Sequence, residues 1–335
     1  MNNDTEANGS KLLIVEDDPD MLVAFQDILE GSGYSVTTAA NGKDALRLLQ
    51  EIKPALIMSD ITMPGMDGVE LYRAVRERPE GAAIPFIFLT ARGTREDMFA
   101  AKALGVDDYI TKPTTRNELL TAVRARLQRT DELMLIQLKA VLRAMANAIE
   151  ARAGVYTLRH VEAVNAYAQS MALDLGWDKY QLEALEFGAI LHDVGKIGVP
   201  EKILSKNGPL DEEEWTEMRM HPVYGAHMIE GNPYLESALP LVLHHHERWD
   251  GGGYPHGLAG EDIPIGARML AVADTFHAMT SDRAYRTAMS SKKAFEEILA
   301  QAGKQFDPQM VDVFERCWLR GDVARIHKSV QLVGE

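Results

Sequence analysis

Histidine and aspartate recur in the second half of the chain at positions that suit metal binding: His160, the adjacent His192 and Asp193, His221, the run His244 to His246, and Asp274. All ten histidines of the 335 residues lie at or after His160, so imidazole chemistry belongs to that half alone. One histidine on an apolar helix face is usually a core or surface residue. The His-Asp pair in AILHDVGK is harder to explain that way, because burying both groups costs several kcal/mol unless the carboxylate is paired or bound to metal. Mixed imidazole and carboxylate sets suit Mn, Fe, Ni or Zn, and a carboxylate can bridge two such ions. Two ions about 3.5 to 4 Å apart acidify water between them and clamp an in-line displacement at phosphorus. The first half carries a different set, Glu16, Asp17 and Asp60 with Thr90 and Lys112. Three carboxylates at one rim repel each other unless a divalent cation sits between them, and oxygen-only ligands favour Mg²⁺. A carboxylate beside Mg²⁺, with Thr90 and Lys112 ready to bond added oxygens, is an acceptor site for phosphoryl transfer.

The elements that must position these groups differ between the halves. Lys11 to Val15, Ser35 to Ala39, Ala55 to Ser59, Ile84 to Leu89 and Asp108 to Ile110 read as strands. Met21 to Leu29, Lys43 to Gln50, Val69 to Arg76 and Arg95 to Ala103 read as helices between them, with a further helix from Arg116. This alternation predicts an α/β doubly wound fold with a five-stranded parallel sheet, whose ligands bind beyond the carboxyl ends of the strands. The acidic residues follow the first and third strands, Thr90 the fourth and Lys112 the fifth.

From Thr115 to Ala153 there is no Gly or Pro, and Leu120, Leu127, Met134, Val141 and Ala148 recur every seven residues, with Leu138 and Met145 between. That repeat predicts a long helix with a coiled-coil seam, interrupted by Thr130 and Asp131, which dimerises the chain and carries the state of the first domain to the second. The alternative is that the stripe packs on the chain's own second domain. Helical periodicity then dominates over Val161 to Ala172, Lys179 to Leu191, Glu212 to Met220, Leu239 to His246, Ala267 to Met279, Lys292 to Ala302 and Pro308 to Trp318. The second domain is therefore expected to be all-α. The expected organisation is a polar tail 1–10, a first domain 11–127, a helical connector 128–150 and an output domain 151–335.

Composition limits the function classes. The formal net charge is −15 and both halves are acidic, which argues against direct nucleic-acid binding, since that relies on Lys and Arg neutralising phosphates. No stretch has the roughly 18 apolar residues of a membrane helix, and Met1 to Ser10 lack the basic and apolar regions of a signal peptide, so a cytoplasmic location is expected. The single cysteine, Cys317, excludes an internal disulfide and a cysteine-based metal cluster. The glycine-rich loop at Gly253, Tyr254 and Pro255 lacks the Gly-Lys-Ser/Thr of an ATP-binding P-loop.

Two resemblances follow from these motifs. Residues 11 to about 127, with LLIVEDDPD, SDITMPGMDG, Thr90-Ala91 and Lys112-Pro113, resemble the receiver domain of two-component response regulators. The resemblance implies that Asp60 is the phosphoacceptor, that Glu16 and Asp17 hold Mg²⁺, that Thr90 and Lys112 bind the phosphoryl group, and that Tyr109 reorients with Thr90. It implies a sensor histidine kinase as partner. Residues from about 135 to 330 resemble the HD-GYP subgroup of HD phosphohydrolases, through RHV at 159–161, LHDVGKIGVP at 191–200, HP at 221–222, HHERWDGGGYPHGLAG at 245–260, IPIGARMLAVAD at 263–274, SDRAYR at 281–286 and QFDP at 305–308.

That second resemblance implies hydrolysis of cyclic di-GMP to linear pGpG, with GMP as a possible further product. It makes His160, His192, Asp193 and Asp274 ligands of one divalent transition metal, and Asp193 the bridge to a second held by His221, His245 and His246. His192, Asp193 and Lys196 become the catalytic group, Lys196, Gly253, Arg283 and Arg286 the contacts to substrate, and Gly253, Tyr254 and Pro255 a surface for diguanylate cyclase (GGDEF) domains. Two departures stand out. His277 occupies a position that is often acidic, and Tyr156 stands where some members place a Glu that serves a third metal. Glu150, ten residues before His160, is expected to be too far along the helix to replace it. His227, His256 and His327 match no ligand position, and the run His244 to His246 leaves the ligand register open by one. The expected whole is a response regulator with a cyclic di-GMP phosphodiesterase output; the alternatives are a non-catalytic effector that binds a dinucleotide or a protein, and a hydrolase of another cyclic dinucleotide.

Overall fold

The computed structural model describes residues 9–91, 108–152, 160–206, 208–282 and 287–332. It divides into two compact units, residues 1–136 and 137–335, and the division falls within one continuous helix.

The first unit is a parallel five-stranded sheet in the order β2-β1-β3-β4-β5, with β1 Lys11–Val15, β2 Ser35–Ala39, β3 Leu56–Asp60, β4 Phe86–Ala91 and β5 Asp108–Lys112. Because alternate residues of a strand face opposite sides, a sheet covered on both faces needs unbroken apolar strands. Leu12 and Ile14 therefore enter one core with Phe25, Leu29 and Leu119, while Leu13 and Val15 enter the other with Leu71, Val75 and Phe88. The register pairs Val15 with Ser59 and Asp60 with Leu89, so the polar ends of these strands share one rim. Helices α1 Pro19–Glu30, α2 Gly42–Leu48 and α3 Gly68–Arg76 each begin on an Asp or Asn whose side chain accepts from the first turn, Asp18, Asn41 and Asp67. The helix expected over Arg95 to Ala103 lies outside the described residues.

Helix α4 runs from Arg116 to Arg152, 37 residues, and Thr130 and Asp131 do not break it. Along the heptad positions Met134, Val141 and Met145 are 46%, 58% and 45% exposed, whereas Ala146 and Ile149 on another face are buried. Nearer the start of the helix, Leu120 is buried and Leu127 packs against the core of the first unit.

The second unit is helical among the described residues. It contains α5 His160–Asp174, α6 Lys179–Leu191, α7 Glu201–Leu204, α8 Glu212–Met218, α9 His221–Ile229, α10 Leu239–His244, α11 Ile265–Thr280, α12 Ser291–Ala300, α13 Pro308–Leu319 and α14 Asp322–Leu332. Tyr167, Phe276 and Phe314 lie fully buried at its centre, where α5, α11, α13 and α14 pack. Helix α9 was not anticipated, because its Pro222 and Gly225 read as breakers; the proline sits in the first turn, where no backbone N–H is needed. Helix α14 was also missed. No helix among the described residues is long and apolar enough to cross a membrane.

Candidate metal centre and phosphoacceptor rim

Five helices and one tight turn bring the sequence-predicted ligands together. His160 opens α5, His192 closes α6, Asp193 and Lys196 lie on the following tight turn Val194–Gly198 and its lead-in, His221 opens α9, His245 and His246 follow α10, and Asp274 sits inside α11. Potential ligand atoms of Asp193, His221, His245 and His246 lie within 4.8 Å of one another, as do those of His160, His192 and Asp274. Close packing at Gly195 permits this. A Cβ there would fall 1.9 Å from the His221 carbonyl oxygen and 2.4 Å from the Gly225 nitrogen, so only glycine lets α9 approach the turn.

The imidazoles are oriented by a repeated device. His192, His221 and His245 each direct Nδ1 at the carbonyl oxygen three residues earlier, Ala189, Met218 and Val242, at 2.8 Å in every case. With the ring hydrogen donated there, Nε2 of the neutral ring presents a lone pair to the centre. His160 stands at the start of its helix, and its Nδ1 meets His277 Nδ1 at 2.9 Å, while His277 Nε2 meets Ser281 Oγ at 3.1 Å. His277, whose role the sequence left open, thus orients a ring of the centre. The lone pairs converge: His160 Nε2 is 3.3 Å from His192 Nε2, and His221 Nε2 is 3.4 Å from His245 Nε2.

Asp193 lies among them. Its Oδ1 is 3.2 Å from His221 Nε2, is buried, and accepts no hydrogen bond among the described residues. Its Oδ2 accepts from Lys196 Nζ at 2.5 Å. Burial works against the Asp193 charge, but Lys196 and His192 hold its carboxyl well below the usual range. Burial likewise opposes the Lys196 ammonium, yet Asp193 and Glu150 raise its pKa above that of an ordinary lysine. His192 is pushed up to about 9, because Asp193 beside it outweighs burial. Burial and then His221 drive His246 down to about 3, and burial with His246 drives His245 well below its usual value. Surroundings that favour a proton on His192 favour a metal cation in its place, and an orphaned carboxylate oxygen facing imidazole nitrogens fits a divalent ion.

Glu150 corrects the sequence reading. Its distance was counted along a continuing helix, but α4 ends at Arg152 and α5 starts at His160, and the buried Glu150 lies at the centre. One of its oxygens groups with His160 and Asp193 within 4.8 Å, and Oε1 is 3.3 Å from Lys196 Nζ. Burial raises its pKa above that of an ordinary glutamate. Only its position in space reveals it. The register of the histidine run also resolves: His245 and His246 join the group, and His244 turns toward Glu247. Tyr254 stacks on His246 with ring centroids 4.7 Å apart, and Gly253 lies so close to the Glu247–Arg248 backbone that a Cβ would come within 2.4 Å of Arg248 N. Arg283, Arg286 and Tyr156 lie outside the described residues.

In the first unit Glu16, Asp17 and Asp60 form an acidic group at the sheet rim. Lys112 Nζ donates to Glu16 Oε2 at 2.6 Å and to Asp60 Oδ2 at 2.8 Å, bridging two carboxylates that would otherwise repel. Burial raises the Glu16 pKa against the pull of Lys112. Burial opposes the Lys112 charge, but its bonds to Asp60 and Glu16 leave the pKa above the ordinary lysine value. Thr90 is buried at the end of β4 and pairs in register with Thr111, one residue before Lys112. Tyr109 is half-buried on β5.

Comparison with known proteins finds a family for each half of the chain. The response regulator receiver domain family matches residues 12–124, and the HD domain family matches residues 134–310. The cyclic di-GMP phosphodiesterase response regulator RpfG of Xanthomonas campestris is 33% identical over 332 residues, covering 92% of this chain and 88% of that protein. The chain belongs to the response regulators that join a receiver to an HD domain. Within this family the output domain binds divalent metal, and the seven candidate residues here include a buried Asp193 oxygen without a hydrogen-bond partner among the described residues. A 3′3′-cGAMP-specific phosphodiesterase of Vibrio cholerae is 36% identical over 182 residues, 54% of this chain and 35% of that protein. The solved structure of the chemotaxis response regulator CheY4 of Vibrio cholerae is 32% identical, covers 37% of this chain and 99% of that one, and has a TM-score of 0.34.

Gly195→Ala should push α9 away from the turn that carries Asp193. Divalent-metal affinity is expected to fall at least about tenfold, as for other supporting positions around metals. Elemental analysis of the purified full chain checks this, and an unchanged metal content would show that α9 tolerates the displacement.

Proposed function

We propose that the chain is a response regulator whose output domain hydrolyses cyclic di-GMP, mainly to linear pGpG, under control of Asp60 phosphorylation. The observation that carries the reading is the buried Asp193 carboxylate with one oxygen held by Lys196 and the other facing imidazole nitrogens. In the assignment His160, His192, Asp193 and Asp274 hold one divalent ion and Asp193, His221, His245 and His246 a second. When bound, such ions supply activated water and positive charge at a scissile phosphate. Asp193 stays ionised across the neutral range, with Oδ1 beside His221 and Oδ2 beside His192 and Lys196. Lys196 stays protonated, so it acts by charge on phosphate oxygens and does not accept a proton. Tyr254 remains a phenol, since burial and Asp193 raise its pKa, and it fixes His246 by stacking. One P–O bond is cut and water adds across it, which linearises the ring.

The preference for two ions and for pGpG rests on where positive charge already lies. Lys196 Nζ stands between Glu150 and Asp193, so an ammonium supplies charge at the place a third ion would need. Positioning the linear product for a second cut is then less efficient. The ions belong to the Fe, Mn, Ni and Zn class. Arg283 and Arg286 serve as further phosphate contacts, and the Gly253, Tyr254 and Pro255 loop as a surface for GGDEF proteins. The Vibrio cholerae relative favours testing a hybrid cyclic dinucleotide as a second substrate.

For the first unit, with residues 11–127 as receiver, 128–150 as connector and 151–335 as output domain, a sensor kinase supplies the phosphoryl group. Glu16 and Asp17 hold Mg²⁺ beside Asp60. A phosphoryl group adds about −1.5 to −2 charge, which draws Thr90 and Lys112 inward and shifts Tyr109. The exposed Met134, Val141 and Met145 stripe supports a homodimer through α4.

Metal-loaded protein is expected to convert cyclic di-GMP to pGpG before GMP accumulates, and Asp193→Ala to lose nearly all turnover, as read by product chromatography with the hybrid dinucleotide run alongside. No cleavage in either phosphorylation state would leave a binding effector. Labelling by a small phosphoryl donor with Mg²⁺ should disappear in Asp60→Asn; persistent label would mean another acceptor. Light scattering should give a dimer that Met134→Asp with Val141→Asp weakens, since each buries an unpaired charge at the seam. A monomer at micromolar concentration in both phosphorylation states would remove the seam.

A further inference from the structure

The turn of the histidine run that excludes His244 from the centre gives it other neighbours. His244, Glu247 and His256 each place one potential ligand atom within 4.8 Å of the others, and none of the three belongs to the seven-residue centre. His244 Nδ1 is buried and has no hydrogen-bond partner among the described residues. It lies 3.7 Å from Glu247 Oε1, too long for a hydrogen bond and suited to a shared cation. The Glu247 side chain is wholly buried, and its two oxygens accept from the backbone N–H of His256 at 2.8 Å and of Leu258 at 3.1 Å. Those bonds fold the glycine loop back on the end of α10. They bring the His256 ring to 5.3 Å from the His244 ring, while His256 itself stays exposed.

We propose that His244, Glu247 and His256 form a separate divalent transition-metal site. Two imidazoles and a carboxylate are the donors that Zn²⁺, Ni²⁺ and Cu²⁺ prefer, and three protein ligands leave a coordination position for water on the exposed side. The buried carboxylate supplies the negative charge that two neutral rings lack. An ion there ties the loop that carries Tyr254 to the segment that carries His245 and His246, so its occupancy bears on how firmly Tyr254 stacks on His246. The site does not depend on the substrate of the output domain.

The test is zinc content of the full chain, equilibrated with Zn²⁺, desalted and measured by elemental analysis. His256→Ala changes an exposed residue and should hold one equivalent fewer than the wild type; His244→Gln should show the same loss. Asp193→Ala should lose ions of the main centre yet keep one equivalent, and Asp193→Ala with His256→Ala should lose that one too. Equal zinc in the last two variants would overturn the proposal. Failure of the phosphodiesterase reading leaves this difference untouched, because it is read without turnover.

Discussion

The output domain depends on one electrostatic conflict, a buried carboxylate surrounded by imidazole lone pairs. Burying an ion costs several kcal/mol, and the cost is met only when opposite charge and hydrogen bonds reach every exposed lone pair. Lys196 satisfies one oxygen of Asp193, while Oδ1 is left facing His221 Nε2. A cation reconciles these groups. The fold preserves the conflict, since Nδ1 of three histidines is fixed on backbone carbonyls and cannot rotate its hydrogen into the centre without losing that bond.

Rigid packing keeps the geometry. Gly195 lets α9 lie against the turn of Asp193 at a distance no side chain permits, and Gly188 and Gly266 do the same for Leu241 on α10, where a Cβ would come within 2.8 Å of a Leu241 methyl carbon. Around them α5, α11 and α13 enclose Tyr167, Phe276 and Phe314. Small residues where backbones approach and aromatics where they diverge place ligands from five helices and one tight turn at one point. The receiver rim solves a milder version of the same problem: Lys112 stands between Glu16 and Asp60, a place where added phosphoryl oxygens compete for its hydrogens.

The receiver was the more legible part. Buried parallel strands read as unbroken apolar runs, and their ends mark the rim, so the positions of Glu16, Asp60, Thr90 and Lys112 follow from strand endings alone. Strand limits moved by one or two residues, and β5 extends to Lys112 because the ladder to β4 continues through Ala91. In the helical half, periodicity located the long helices but not α9, where Pro222 and Gly225 serve the first turn and the close packing against Gly195.

Residue types and order by themselves indicated a parallel α/β fold followed by a helical one and the kind of ligand chemistry in each half, because strand alternation, helical period and ligand type are local properties; the choice of seven particular residues came from the family resemblance. Tertiary structure decided what depends on packing and on facing directions. Glu150 groups with His160 and Asp193 because α4 ends at Arg152 and does not continue into α5, so counting along one helix misplaces it. His277 acts on His160 because α11 crosses the start of α5, and His244 parts from its two neighbours because successive residues at a helix end point different ways. Distance in space between groups far apart in sequence is set by packing, which no local pattern encodes.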